Sequence, residues 1–198
     1  MQKLKTLIHL STSGLKRIKY YVITNTIAFV MGTMVGVLYW DIIGEQLSKE
    51  LYGIAEELSA NPLYAYIYIL GHNLIIAISL GFFSGITIAA PTIIALVNGA
   101  SISAIVVYVQ EKLGVPAILS IYAMLPHGVF EVPAFIIATS CGIDFGVSTW
   151  KRILNKISSG KYKARLKEEV ALLLVSVILF AIAAAIESSL IILASILK

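Results

Sequence analysis

Long apolar runs alternate with short polar segments along this chain, and the runs have membrane-spanning length. A helix needs about 20 apolar residues to cross a bilayer. Residues 20–40, 63–83, 91–109, 115–141 and 170–195 meet that requirement. They predict an all-α fold, a polytopic transmembrane bundle with five spans and interfacial amphipathic helices. All 198 residues then form a single membrane domain. Helices are expected because lipid leaves no partner for an open backbone.

The connections have their own patterns. Leu4, Leu7 and Ile8 recur at helical spacing in a basic arm, 1–19, which Ser11-Thr12-Ser13-Gly14 is expected to break from the first span. In 41–61, Leu47, Leu51, Ile54 and Leu58 repeat every three or four residues against Asp41, Glu45, Glu50, Glu56 and Glu57. That pattern predicts an amphipathic helix on the outer surface or capping the bundle. Asn61-Pro62 starts the second span. The uncharged stretch 83–91 is either a tight hairpin or a partly buried re-entrant turn. Trp150, Ile153, Leu154 and Ile157 predict a short amphipathic helix inside 148–169, ended by Ser158-Ser159-Gly160.

Composition strengthens the membrane reading. The chain is 59% hydrophobic and 13% charged, where soluble domains carry about 25% charged residues. Its mean hydropathy is +0.91. The first apolar run is too long for a cleaved signal peptide, and no small-residue cleavage site follows it promptly. Lys3, Lys5, Lys16, Arg17 and Lys19 lie in the arm. Lys151, Arg152, Lys156, Lys161, Lys163, Arg165 and Lys167 lie in 148–169. Five spans put both segments on one side, which basic residues mark as cytoplasmic. The N-terminus is then inside, and the 41–61 connection and C-terminus outside. The net charge of +4 is thus an orientation signal, and anionic lipid heads explain the basic connection more simply than nucleic acid. Cys141, the sole cysteine, excludes an internal disulfide and reads as a small buried hydrophobe.

Candidate chemistry concentrates in the fourth span, at Leu125-Pro126-His127-Gly128-Val129-Phe130-Glu131-Val132-Pro133. A charged group at bilayer depth costs about 3 kcal/mol or more. His127 and Glu131, four apart, share a helix face. They could bind a divalent metal, relay protons, or pin helices together, with Asn98 as a further partner of His127. Pro126 and Pro133 deprive carbonyls near Tyr122 and Val129 of their usual donors. His72, mid-way along a span of the same direction, would complete a metal set of His127, Glu131 and His72. Asn25, Asn73, Asn98 and Glu187 complete a polar core. Asn25 reads as a helix-to-helix hydrogen bonder, and Glu187, beside Ser188 and Ser189, as a polar seam near the outer interface. Gly32-xxx-Gly36 and Gly81-xxx-Gly85 are close-packing faces suited to partner proteins or self-association. No GxSxG, HExxH, phosphate loop or dinucleotide fingerprint occurs. No catalytic residue is assigned, and an enzyme is the less favoured class.

Pro126-His127-Gly128-x-x-Glu131 in a mid-chain span, with small residues up to Gly142, resembles the stage II sporulation protein M family. Asn73, Gly81, Gly85 and Asn98-Gly99 fit the resemblance, which covers the whole membrane region. His72 departs from it, standing where an Asn is expected beside Asn73. The resemblance implies an integral membrane protein of bacteria or archaea. In spore formers, members act with peptidoglycan-degrading partners during engulfment as a membrane scaffold; relatives also occur where no spores form. The leading expectation is therefore a membrane scaffold or assembly partner with a polar or ion-binding core. The alternatives are a small transporter or channel for a cation or protons, and an intramembrane metal-dependent enzyme.

Overall fold

A computed structural model describes residues 2–196, except for the side chains of 51, 52, 55, 56, 80, 81 and 194–196. The sequence readings of Leu51, Glu56 and Gly81 lie outside the described side chains. The described residues are almost entirely helical, with no strand among them. The helices are α1 (Gln2–Leu38), α2 (Trp40–Ala60), α3 (Pro62–Leu74), α4 (Ala90–Leu113), α5 (Ala117–Ile153) and α6 (Ser159–Ile196). α3 runs on as a π-helical stretch, Ile75–Phe82, and a 3-10 turn, Phe83–Thr87. Five helical segments are long and apolar enough to cross a membrane: α1, α3 with its extension, α4, α5 and α6.

Two expectations about the connections change. The arm does not break at Ser11–Gly14: α1 is one helix of 37 residues, about 55 Å long. Thr6 and Thr12 bond back to the carbonyls four residues earlier. Gly14 is buried against Glu168 and Leu172 of α6, a neighbour that supports the helix through this glycine. The separate amphipathic helix within 148–169 is also absent. α5 continues through Trp150 to Ile153, and the reversal occurs around Asn155, whose φ is 54°. Trp150 anchors this end by donating from Nε1 to the Ile86 carbonyl at 2.7 Å. The 83–91 stretch is the tight hairpin: a 3-10 turn, then Ile88 at φ 61°, then α4. The α2 expectation of an amphipathic helix is realised, with Asn61 capping α3 beyond it through bonds from Leu63 N and Tyr64 N.

Small residues set the packing, as expected where lipid offers no hydrophobic driving force between helices. A methyl group on Gly32 would strike the Leu96 carbonyl of α4, and one on Gly36 the Ala100 carbonyl. In return Gly99 of α4 lies on the Phe29 carbonyl. α1 and α4 therefore run parallel in close contact. Gly85 of the hairpin lies against the backbone of Gly142, and Gly146 against that of Gly85. The glycines read as docking faces at Gly32, Gly36 and Gly85 are thus taken up inside the chain. Ala28, Ala77, Ala95, Ala134, Ala138, Phe135 and Phe180 form the central core. Asn25 crosses it, donating to Thr139 Oγ1 at 3.1 Å and Ser140 Oγ at 3.2 Å and accepting from Thr92 Oγ1 at 3.0 Å. That single amide ties α1, α4 and α5 together, the role its sequence position suggests.

Candidate functional site

The proline-rich stretch remains α-helical: α5 carries both Pro126 and Pro133 inside an unbroken run. His127 and Glu131 consequently keep their one-turn spacing and project to the same side. α6 runs alongside α5 and brings Glu187 to meet them. Among the described residues these three form a group whose ligating atoms all lie within 4.8 Å of one another, each side chain partly buried. Zinc holds nitrogen and oxygen donors at ~2.0–2.2 Å.

The group faces a cavity of about 640 Å³. Asn73 of α3 and Asn98 of α4 line it, and so do Leu47, Glu50, Ile54 and Leu58 of α2, which lies across it. Asn73 is buried, and its amide nitrogen has no hydrogen-bond partner among the described residues. His127 Nδ1 is likewise buried without a partner. Among the described residues, His127 Nδ1 therefore makes no hydrogen bond to Glu131 or Asn98.

His72 takes another place. It lines the same cavity but is exposed and stacks on Tyr68, ring centroids 6.4 Å apart and planes 13° from parallel. It is not in the convergent group; Glu187 is. Beside Glu187, Ser188 and Ser189 both donate back to the Ala185 carbonyl. The partners of Glu187 come from α5. Sequence spacing within one helix could reveal His127 with Glu131, but not a third ligand 56 positions later.

A second polar centre went unread in the sequence. Arg17 of α1 pairs with Asp144 of α5, with Glu168 of α6 at 2.9 Å, and with Glu169 at 3.7 Å. Ser13 donates to Glu168 at 2.7 Å, and Arg17 also reaches the Arg165 carbonyl at 3.3 Å. Arg165 donates to Ser148 at 2.9 Å. Asp144 and Glu169 are both buried. A signal was available: Asp144, Glu168 and Glu169 are the only acids in the two segments rich in lysine and arginine and the span ends beside them.

A family profile described as Stage II sporulation protein M matches residues 25–190. An uncharacterized protein of Methanocaldococcus jannaschii is 33% identical over 155 residues, covering 75% of this chain and 66% of its own length. The chain thus spans just under two thirds of that relative. No solved structure matches.

Proposed function

We propose that this chain, which belongs to the stage II sporulation protein M family, is an integral membrane scaffold or assembly partner built around a divalent-cation site of His127, Glu131 and Glu187. The observation that carries the cation site is the convergence of one imidazole and two carboxylates within 4.8 Å, contributed by two helices. Two carboxylates so close repel each other in a low-dielectric setting. A divalent ion with a neutral imidazole makes the centre electrically neutral, the form least costly at bilayer depth. Mixed nitrogen and oxygen donors suit zinc, manganese or iron(II). The unpaired His127 Nδ1 fits a ligand role better than a role in pinning helices.

The scaffold part rests on family membership and on the wide aliphatic surface, including Ile23, Ile27, Met34, Ile93 and Val97, left exposed on α1 and α4. Partners, whether other membrane proteins or a second copy, would meet that surface, since Gly32 and Gly36 are covered by α4. The bilayer is the surrounding partner. The proposed location is the cell membrane, with the N-terminus cytoplasmic and the C-terminus outside, supported by the basic residues at the Arg17 end.

Elemental analysis of protein purified without chelators tests the site. One divalent ion per chain is expected, lost in His127→Ala, Glu131→Gln and Glu187→Gln while Asn98→Ala keeps it. Absence of metal from wild-type protein, even after incubation with zinc or manganese, overturns the cation site.

A further inference from the structure

The cavity above the three ligands is far larger than an ion requires. Its volume of about 640 Å³ lies in the range of sites that enclose small organic molecules, roughly 300–1,000 Å³. Its lining combines polar and apolar side chains. Polar side chains, His127, Glu131, Glu187, Asn73 and Asn98 among them, line it together with aliphatic ones such as Ile54, Leu58, Ile69, Ile102, Ile105 and Val132. An ion alone would leave the aliphatic side chains uncovered.

Two observations specify the polar end of an occupant. Asn73 is 7% exposed and its amide nitrogen has no partner among the described residues. That donor requires an acceptor oxygen, which no aliphatic wall provides. Three protein ligands leave a divalent ion with at least one open position, and hard oxygens of a phosphate commonly fill such positions. The apolar remainder calls for a hydrocarbon chain. The site sits among membrane-spanning helices, where molecules combining a phosphate with a chain are the solvent.

We infer that this cavity binds a membrane lipid through its phosphate. The phosphate oxygens complete the coordination of the cation and accept from Asn73, and an acyl chain covers the aliphatic wall. The inference rests on the cation site proposed above and adds the class of ligand that the site takes. Inorganic phosphate shares the head chemistry but leaves the wall bare.

Full-length protein in detergent micelles is loaded with Mn²⁺. Loss of the free Mn²⁺ electron paramagnetic resonance signal counts the bound metal. Dioleoyl phosphatidic acid is then added and its ³¹P resonance recorded. Bound Mn²⁺ is expected to broaden that resonance, and dioleoylglycerol, added as a competitor, to relieve the broadening only at about tenfold or higher concentration than a phosphate-bearing competitor lipid, as the loss of charged-oxygen contacts implies. Asn73→Ala is expected to keep its Mn²⁺ and to weaken phosphatidic acid about tenfold by the same reasoning. Ile102→Trp, which fills the apolar end, is expected to keep Mn²⁺ and abolish the broadening. Bound Mn²⁺ without broadening overturns the lipid inference and leaves the cation site standing. So does inorganic phosphate broadened as strongly as the lipid and equally in Ile102→Trp, which marks a free-phosphate site. Absence of bound Mn²⁺, with no zinc held in the elemental analysis either, overturns the cation site and the lipid inference together.

Discussion

Replacing Arg17 by methionine removes one guanidinium from among three carboxylates while keeping a side chain of similar length. Asp144 and Glu169 have side-chain exposures of 4% and 0%, whereas Glu168 and Arg17 itself retain 19% and 20%. The Glu168 pair is partly screened by solvent and contributes little, in the manner of surface ion pairs. The other two carboxylates lose their cation in a dry setting, for which the loss is about 3–5 kcal/mol. The partial exposure of Arg17 favours the lower end, about 3 kcal/mol. For a chain of this size each kcal/mol moves the melting temperature by about 2–4 °C, so a fall of roughly 6–12 °C is expected. Thermal unfolding in lipid nanodiscs reads it. Asp144→Asn, alone and combined with Arg17→Met, closes a double-mutant cycle. The combined variant should lose less than the sum of the single losses, by at least about 1 kcal/mol. Strict additivity, or a shift under about 2 °C for Arg17→Met, would refute the view that this centre locks α1 to α5 and α6.

Gly85→Ala and Gly146→Ala each place a methyl group into facing backbone and should cost at least about 1–3 kcal/mol. Gly128→Ala, with open space at its Cβ, should leave the melting temperature unchanged or slightly raised, since Ala is the better helix former. Asn25→Ala removes three interhelical hydrogen bonds and should cost about 1–2 kcal/mol by the same melting assay; an unchanged midpoint would deny this amide its tying role. On α2, the Lys49 ammonium, by hydrogen bond at 2.8 Å and then by charge, holds the Glu45 carboxyl below its usual range. The contribution of this pair is therefore present above the ordinary carboxylate pKa and fades as pH falls through the lowered value. Lys49→Gln should return Glu45 to ordinary titration in a carboxyl carbon NMR experiment, and an unmoved titration would show that the pair does not form.

Much of this molecule was written in one dimension. The run lengths specified five membrane-crossing helices because a bilayer has a set thickness and its interior tolerates no unpaired backbone. The three- and four-residue repeat of 41–61 specified an amphipathic helix for the same kind of local reason. The His127–Glu131 pair was equally legible, since helix geometry alone puts residues four apart on one face. Local signals misled where a neighbour supplied what the segment lacked. Ser11–Gly14 looks like a break until α6 packs against Gly14. Gly142–Gly146 looks like the end of a span until Gly85 settles on it.

What only the tertiary structure decided is which distant side chains meet. Glu187 joins His127 and Glu131, while His72 turns to Tyr68. Arg17 finds three acids more than 120 positions away. Periodicity carries the direction in which each side chain leaves its own helix, but not the rotation and depth at which one helix sits beside another. Those are set by the close approach of glycine and alanine faces, a property of pairs of helices that no single stretch of the sequence contains.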